Sequence, residues 1–279
     1  MTDLAPKTIE ANGLTVAYHE VGEGPLVVLV HGFPDTATTW LGLAPRLAGL
    51  GYRVVAPYLR GYHPTSLPPR DTTTADLGDD VLALMDALGE PSARLVGHDW
   101  GATAVMMAAA KAPERVVALA TLAIPHPAAL RPGLTTLWAA RHFFVLRLPG
   151  AVGRFARRDF QGIDILVGRW APSWKPDRAE FADVRRCFGE PGSLDAALGY
   201  YRAFSFQVPE RLRKKLPMPA LAIAGLEDIV EVDAFRRAER GFSGGYTVRE
   251  LPCGHFPHRE RPDEVFEALR ELLSTADAA

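Results

Sequence analysis

Cysteine is almost missing from this chain: Cys187 and Cys253 are the only two in 279 residues. They make no disulfide framework and offer no metal-ligand spacing. An excess of one charge is also missing. The chain carries 31 Lys and Arg against 33 Asp and Glu, a formal net charge of −2. That balance gives no reason to expect nucleic acid or an anionic membrane as a partner. No apolar run reaches the roughly 18 residues of a membrane span. The opening Met1-Thr-Asp-Leu-Ala-Pro-Lys7 lacks the charged-then-apolar layout of a secretion signal. Internal repeats and low-complexity segments are missing too. The expectation is a soluble, cytoplasmic protein. Hydrophobic content of 48% suffices for one large domain, or one domain with a sizeable insertion.

Two strands are expected at Lys7–Ala11 and Leu14–Val21 around Asn12-Gly13, a strong hairpin signal. Leu26–Val30 is a continuous apolar run, as in a buried parallel strand. Further strands are expected at 53–57, 93–97, 116–124, 219–225 and 246–251. Helical spacing lies between them, for example Val81, Leu84, Met85 and Leu88 before Gly89. Strands alternating with helices imply α/β architecture, a doubly wound and mostly parallel sheet. Ligands of such sheets bind beyond the carboxyl ends of the strands. From about Ala128 to Leu216 the alternation stops, and helices are expected at 134–148, 151–160, 177–188 and 194–206. Trp138, Trp170, Trp174 and most of the phenylalanines crowd there. Large side chains suit both the core of a small helical unit and the inner wall of a lid. The division expected is a core of 1–127 and 217–279 with an inserted helical cap of 128–216. The tail from Ser274 is expected to fray.

The chain is organised around Val96-Gly97-His98-Asp99-Trp100-Gly101. An apolar strand ends there and a helix begins. Small residues two positions either side of Asp99 permit a sharp, strained turn that lifts its side chain clear of the sheet. This is a nucleophile elbow with aspartate in place of serine. A carboxylate with a reference pKa of about 3.9 is ionised at neutral pH. It suits displacement at an sp3 carbon, which leaves an alkyl-enzyme ester. Hydrolysing that ester needs a histidine base, an acid to orient it and an oxyanion hole. Alone, an Asp at such a junction also serves as a helix cap.

The remaining chain supplies candidates in the required order. His31-Gly32-Phe33-Pro34 follows a buried strand and would aim the Phe33 N–H into the site. The second donor would be the N–H of Trp100. Asp228 follows the penultimate strand and His255 the last, giving the order nucleophile, acid, histidine. Glu227 is the alternative acid. His31, His98 and His126 are expected to shape the site without acting as its base.

His31-Gly-Phe-Pro34, Arg60-Gly-Tyr62, Gly97-His-Asp-Trp-Gly101, Pro125-His-Pro127, Gly225-x-x-Asp228 and Gly254-His255 together resemble an α/β-hydrolase-fold epoxide hydrolase. The resemblance covers nearly the whole chain and is weakest in the cap. It implies a small apolar epoxide as substrate and neither a metal nor an organic cofactor. It also implies two cap residues that activate the epoxide oxygen. Tyr201, before Arg202, matches one. The tyrosine expected in the other stretch is replaced by Val145, and His142 matches relatives that carry a histidine there. Tyr200 is the understudy to Tyr201, and His31, Trp100 and Tyr200 are candidate substrate contacts. Haloalkane and fluoroacetate dehalogenases share the aspartate elbow. Trp100 and Thr103 stand where fluoroacetate dehalogenases carry arginines. Phe33 stands where many haloalkane dehalogenases carry a halide-binding Asn, although Trp100 and three cap tryptophans leave dehalogenation as the alternative. A ligand sensor that kept the fold is a third reading. The state expected is monomer or homodimer.

Overall fold

The computed structural model describes residues 5–129, 131, 133 and 138–277. Strands β1 (Lys7–Ala11) and β2 (Leu14–Val21) form the expected hairpin. Asn12 and Gly13 both take positive φ, 51° and 72°, as the tight turn between twisted strands requires. The other strands are β3 (Leu26–Val30), β4 (Arg53–Pro57), β5 (Ala93–His98), β6 (Val116–Leu122), β7 (Ala220–Gly225) and β8 (Tyr246–Leu251). They form one sheet in the order β1-β2-β4-β3-β5-β6-β7-β8. Only the β1/β2 and β2/β4 pairings are antiparallel. Every residue of β3 and of β7 is buried, as strands covered on both faces must be.

Strand order reverses between β3 and β5, because the chain leaves β3 toward β4 and returns to β3's other edge. This topological switch point opens a crevice at the carboxyl ends of β3 and β5. Phe33 and Asp99 lie just past those ends.

The core helices are α1 (Ala44–Ala48), α2 (Thr74–Ala87) and α3 (Trp100–Lys111). The α2 helix starts at Thr74, seven residues before Val81, the first residue of the expected apolar face. Thr73 and Asp76 form a reciprocal capping box there, a signal carried by the cap chemistry rather than by apolar periodicity. Between β6 and β7 come α4 (Arg141–Arg147), α5 (Ala151–Trp170), α6 (Ala182–Gly189) and α7 (Ser193–Ala203). Of the expected helix at 134–148, Trp138 and Ala139 are helical, Ala140 is a turn and α4 follows from Arg141, while positions 134–137 lie outside the described residues. The α5 segment overruns its expected end at Phe160. Arg157 to Phe160 have non-helical backbone, and a second helical stretch follows to Trp170. The closing helices are α8 (Val232–Arg237), α9 (Pro257–Glu260) and α10 (Pro262–Asp277). The tail expected to fray from Ser274 is helical to Asp277, whose carboxylate accepts from the Tyr52 hydroxyl at 2.6 Å and pairs with Arg94. Among the described residues no helix is long and apolar enough to cross a membrane.

The Arg60-Gly61-Tyr62 turn fastens the helical segment to the sheet. The Arg60 carbonyl accepts from the Tyr200 hydroxyl at 2.7 Å, and the Gly61 carbonyl accepts from Ser193 Oγ at 2.7 Å. The Arg60 guanidinium is held on the other side by Asp80. Gly61, at φ 78°, leaves no room for a side chain, since a Cβ would sit 2.5 Å from that of Ala196.

The elbow depends on equally close approaches. A Cβ on Gly101 would lie 2.0 Å from the Val30 carbonyl oxygen, and one on Gly97 would lie 2.2 Å from that of Gly101. Backbone cannot yield as a flexible side chain does. Gly101→Ala is therefore expected to cost at least about 3 kcal/mol, read as a lowered urea midpoint. Gly153→Ala is the control, a helical site with open space around it, and should be neutral or stabilising by about 0.5–1 kcal/mol. Equal midpoints for the two variants would refute the packing argument.

Candidate active site

Asp99 sits between β5 and α3 with φ 50° and ψ −116°, a conformation that non-glycine residues rarely adopt. Its carboxylate makes no cap bond to α3, so the helix-cap alternative fails. Oδ1 instead accepts the Phe33 N–H at 2.8 Å. Trp100 is the first residue of α3, where backbone N–H groups have no partner within the helix. A Cβ on Gly32 would collide with Asp99 Cβ at 2.4 Å, which explains why a glycine precedes Phe33.

Oδ2 of Asp99 lies 3.4 Å from His255 Nε2. On the far side of the ring, Nδ1 is 3.0 and 2.9 Å from the two oxygens of Asp228. The Asp228 side chain has no exposed area and its Oδ1 also accepts the Ile229 N–H. Glu227 is exposed, which leaves Asp228 as the acid. Burial alone would lower the pKa of His255. The charge and hydrogen bond of Asp228, then those of Asp99, outweigh it and raise the value to about 10. At neutral pH the ring is an imidazolium between two carboxylates.

The His255 loop is pinned at four points. The His255 N–H donates to the Trp170 carbonyl at 3.0 Å. The His255 carbonyl accepts from His98 Nε2 at 2.7 Å. Glu260 accepts the N–H groups of Gly254 and Phe256 at 2.9 and 3.0 Å. Sequence reasoning missed Glu260, since a carboxylate in a Pro-rich helix start carries no motif. It also missed Asp35 and His258. With His98 they bring three buried donor atoms within 4.8 Å of one another, and each residue retains a buried atom without a partner. This is the set among the described residues with metal-competent spacing. It backs the His255 loop and none of the three lines the cavity.

A cavity of about 210 Å³ opens over Asp99 and His255. Its walls are mainly apolar, with Trp100, Ile124, Phe143, Trp170, Phe204 and Phe206 among them, and Thr103, Arg131, Glu231 and Arg237 as polar members. Tyr201 is buried against Phe33, Trp100 and Phe143, with ring centroids 5.3, 5.2 and 5.0 Å away. Its hydroxyl is buried without a well-formed hydrogen bond, with the Trp100 side chain and the Asp99 charge acting on it, and Tyr201 is not among the residues that line the cavity. Burial, then the Asp99 charge, raises its pKa well above the ordinary tyrosine value, so it is a neutral donor at every working pH.

His142 lines the cavity, as expected, with one correction. Its Nδ1 is 3.1 Å from the Ala139 carbonyl, an acceptor only, so the proton sits on Nδ1 and Nε2 presents a lone pair. Burial lowers its pKa to about 4. In that arrangement the ring's proton is engaged by the Ala139 carbonyl. Two expected substrate contacts are also corrected. His31 is fully buried away from the cavity: Nε2 accepts from the Leu59 N–H at 3.0 Å and Nδ1 donates to the Gly32 carbonyl at 2.9 Å. Tyr200 spends its hydroxyl on Arg60 and does not reach the cavity, because successive helical residues point about 100° apart. Its ring packs edge-on against Trp100. His126 turns to Phe242. Trp100 does line the cavity. Trp170 was expected only as one of several cap tryptophans. Its ring lies 4.9 Å from that of His255, tilted by 54°, with its indole N–H unpartnered. Tyr200→Phe should cost about 1–2 kcal/mol of stability through the orphaned Arg60 carbonyl, with turnover kept within about threefold. A large loss of turnover at unchanged stability would return Tyr200 to the site.

Residues 25–262 match the α/β hydrolase fold family. The chain is 39% identical to epoxide hydrolase 3 of Siraitia grosvenorii over 96% of this chain and 97% of that one. It is 30% identical to epoxide hydrolase A of Mycobacterium tuberculosis over 96% and 97% of the two chains. Among solved structures, a Bacillus megaterium epoxide hydrolase in complex with an inhibitor superposes with a TM-score of 0.85 at 25% identity, over 96% of this chain and all of that one. A doubly wound sheet with an aspartate at its elbow, and relatives of this kind over nearly the full length, lead to one conclusion: the chain belongs to the α/β hydrolase fold family, among its epoxide-hydrolase-like members.

Proposed function

We propose that the protein hydrolyses a small apolar epoxide to a vicinal diol through a covalent ester on Asp99. The observation that carries this reading is the Asp99 carboxylate itself, held by the Phe33 N–H on one oxygen and facing His255 with the other, with the buried Tyr201 hydroxyl in reach of its charge. The helical segment acts as the cap, 128–216 over a core of 1–127 and 217–279, and the names of the relatives above support the substrate class.

Asp99 Oδ2 attacks an epoxide carbon, and the C–O bond breaks. The Tyr201 hydroxyl gives its proton to the departing oxygen. Oδ1, which accepts the Phe33 N–H, becomes the ester carbonyl, with the Trp100 N–H as its second donor. Forming the ester removes one of the two negative charges that hold His255 protonated. Its pKa falls, and its proton replaces the one lost by Tyr201. The neutral imidazole then takes a proton from water, whose oxygen attacks the ester carbonyl. The two N–H donors stabilise the oxyanion. The diol leaves, the carboxylate returns, and His255 is again an imidazolium between two anions. Loss and gain of its proton are thus coupled to the charge on Asp99.

Asp99→Asn should abolish turnover until deamidation restores the acid. His255→Gln should form the ester and stall, giving a protein mass raised by that of the substrate. Turnover at the normal rate without an adduct would overturn the scheme. Tyr201→Phe should lower kcat by about 10²–10⁴-fold, and His142→Ala by much less, since its ring carries no free proton. Hydrolysis of the accumulated ester should speed up as pH rises through the pKa of His255 in that intermediate. With one carboxylate neutralised, that midpoint lies below the resting value of about 10, and equal midpoints by single-turnover kinetics and by NMR of the free enzyme would contradict the coupling.

Dehalogenation remains the second reading, because the Trp170 N–H is free and Trp100 lines the same cavity. An epihalohydrin separates the two. Halodiol without early halide supports the epoxide reading, and prompt halide with an intact ring supports the other.

A further inference from the structure

The helix that roofs the cavity is apolar on both faces. From α4, His142 and Phe143 line the cavity and Leu146 is buried. On the outer side Phe144, Val145 and Leu148 are 49%, 51% and 55% exposed, and Trp138, one turn before, is 68% exposed. Phe144, Val145 and Leu148 fall within about one turn at the end of α4 and share its outer side. Phe206, 56% exposed, stacks on Phe144 at 5.9 Å and also lines the cavity. A roof helix facing only water would be polar outside. A contiguous apolar patch next to a cavity mouth marks an interaction surface.

The charge around the patch is mainly positive. Residues 131–170 contain seven arginines and two aspartates, so the chain's net charge conceals a basic region. The Arg141 guanidinium lies 4.1 Å over the Trp138 ring and that of Arg147 lies 5.6 Å over Phe206. Arg141, Arg147, Arg154 and Arg169 all bond backbone carbonyl oxygens. Among the described residues none of the four pairs with a carboxylate. Burial, then the neighbouring Arg141, lowers the Arg169 pKa to about 10, as expected where cations crowd.

We propose that this outer face of the cap docks on an anionic lipid surface. Aromatic and aliphatic side chains enter the headgroup boundary, and the surrounding arginines meet lipid phosphates. A second copy of the chain fits less well. A two-fold contact would set the same arginines against each other. Docking would put the Phe206 edge of the cavity against the phase in which apolar substrates concentrate. This inference names a partner surface, not a reaction, so it is decided apart from the epoxide assignment. It differs from the expectation, drawn from total charge, that no membrane is involved.

The test is co-sedimentation of the full chain with phosphatidylglycerol vesicles and with phosphatidylcholine vesicles. Binding is expected to phosphatidylglycerol and to be lost near 1 M salt, where the Debye length is about 3 Å. Arg141→Glu, a change of two charges, should weaken binding about 30-fold. Phe144→Ser combined with Leu148→Ser should also release the protein. Thermal midpoints and hydrolysis of a water-soluble epoxide should not change. Should the double variant not fold, the charge variant alone decides. Equal binding to both vesicles, or to neither, overturns the proposal. So does a concentration-dependent dimer, seen by sedimentation velocity, that the double variant dissociates.

Discussion

The backbone of Asp99 is the constraint on which the site depends. Holding a non-glycine residue at φ 50° and ψ −116° costs on the order of 1–3 kcal/mol. The surroundings must over-determine that conformation, and the means are visible. Gly97 and Gly101 bring β5 and α3 within contact of each other. Gly101 also presses on the end of β3, and Gly32 lets the next loop touch Asp99 itself. These contacts place the Phe33 N–H against Oδ1. The geometry that strains the aspartate therefore also builds its anion site. Phe33 does a second task, because its ring packs on Phe155, Phe188 and Tyr201 of the helical segment. The helical segment and the N–H that meets Asp99 are positioned by one residue.

The second organising fact is electrostatic. One histidine lies between two carboxylates with little water to screen them. Low dielectric makes each charge count for more than it would at the surface, so neutralising one carboxylate has a large effect on the ring. The loop carrying His255 is correspondingly rigid, tied to Trp170, His98 and Glu260. Tyr201 is tuned the other way. Its hydroxyl is buried without a well-formed hydrogen bond, an unfavourable arrangement unless a ligand oxygen completes it.

Much of this was legible in the sequence, because local chemistry dictates it. Asp99 stands out through its flanking glycines, and Phe33, Asp228 and His255 through their places after apolar strands. The sheet followed from alternation. What was not legible depends on direction within a helix or on partners far along the chain. Tyr200 and Tyr201 are adjacent letters, yet one points to Arg60 and the other to the site side. His31 and His142 each look free in the sequence, and each is committed to backbone groups that only folding brings near. Glu260 and His258 follow His255 closely, but nothing in their spacing says that they support it. The total charge averages over the arginine-rich stretch of 131–170.

The most direct measurement of the central claim is a single turnover in H₂¹⁸O with enzyme in excess over an epoxide. If Asp99 forms the ester and water attacks the ester carbonyl, the label must enter the carboxylate, and the first diol must be unlabelled. Mass spectrometry of the peptide bearing Asp99 should then show ¹⁸O, and the diol should show none. Label in the first diol with an unlabelled Asp99 would mean direct attack of water on the epoxide, and the covalent scheme would be wrong.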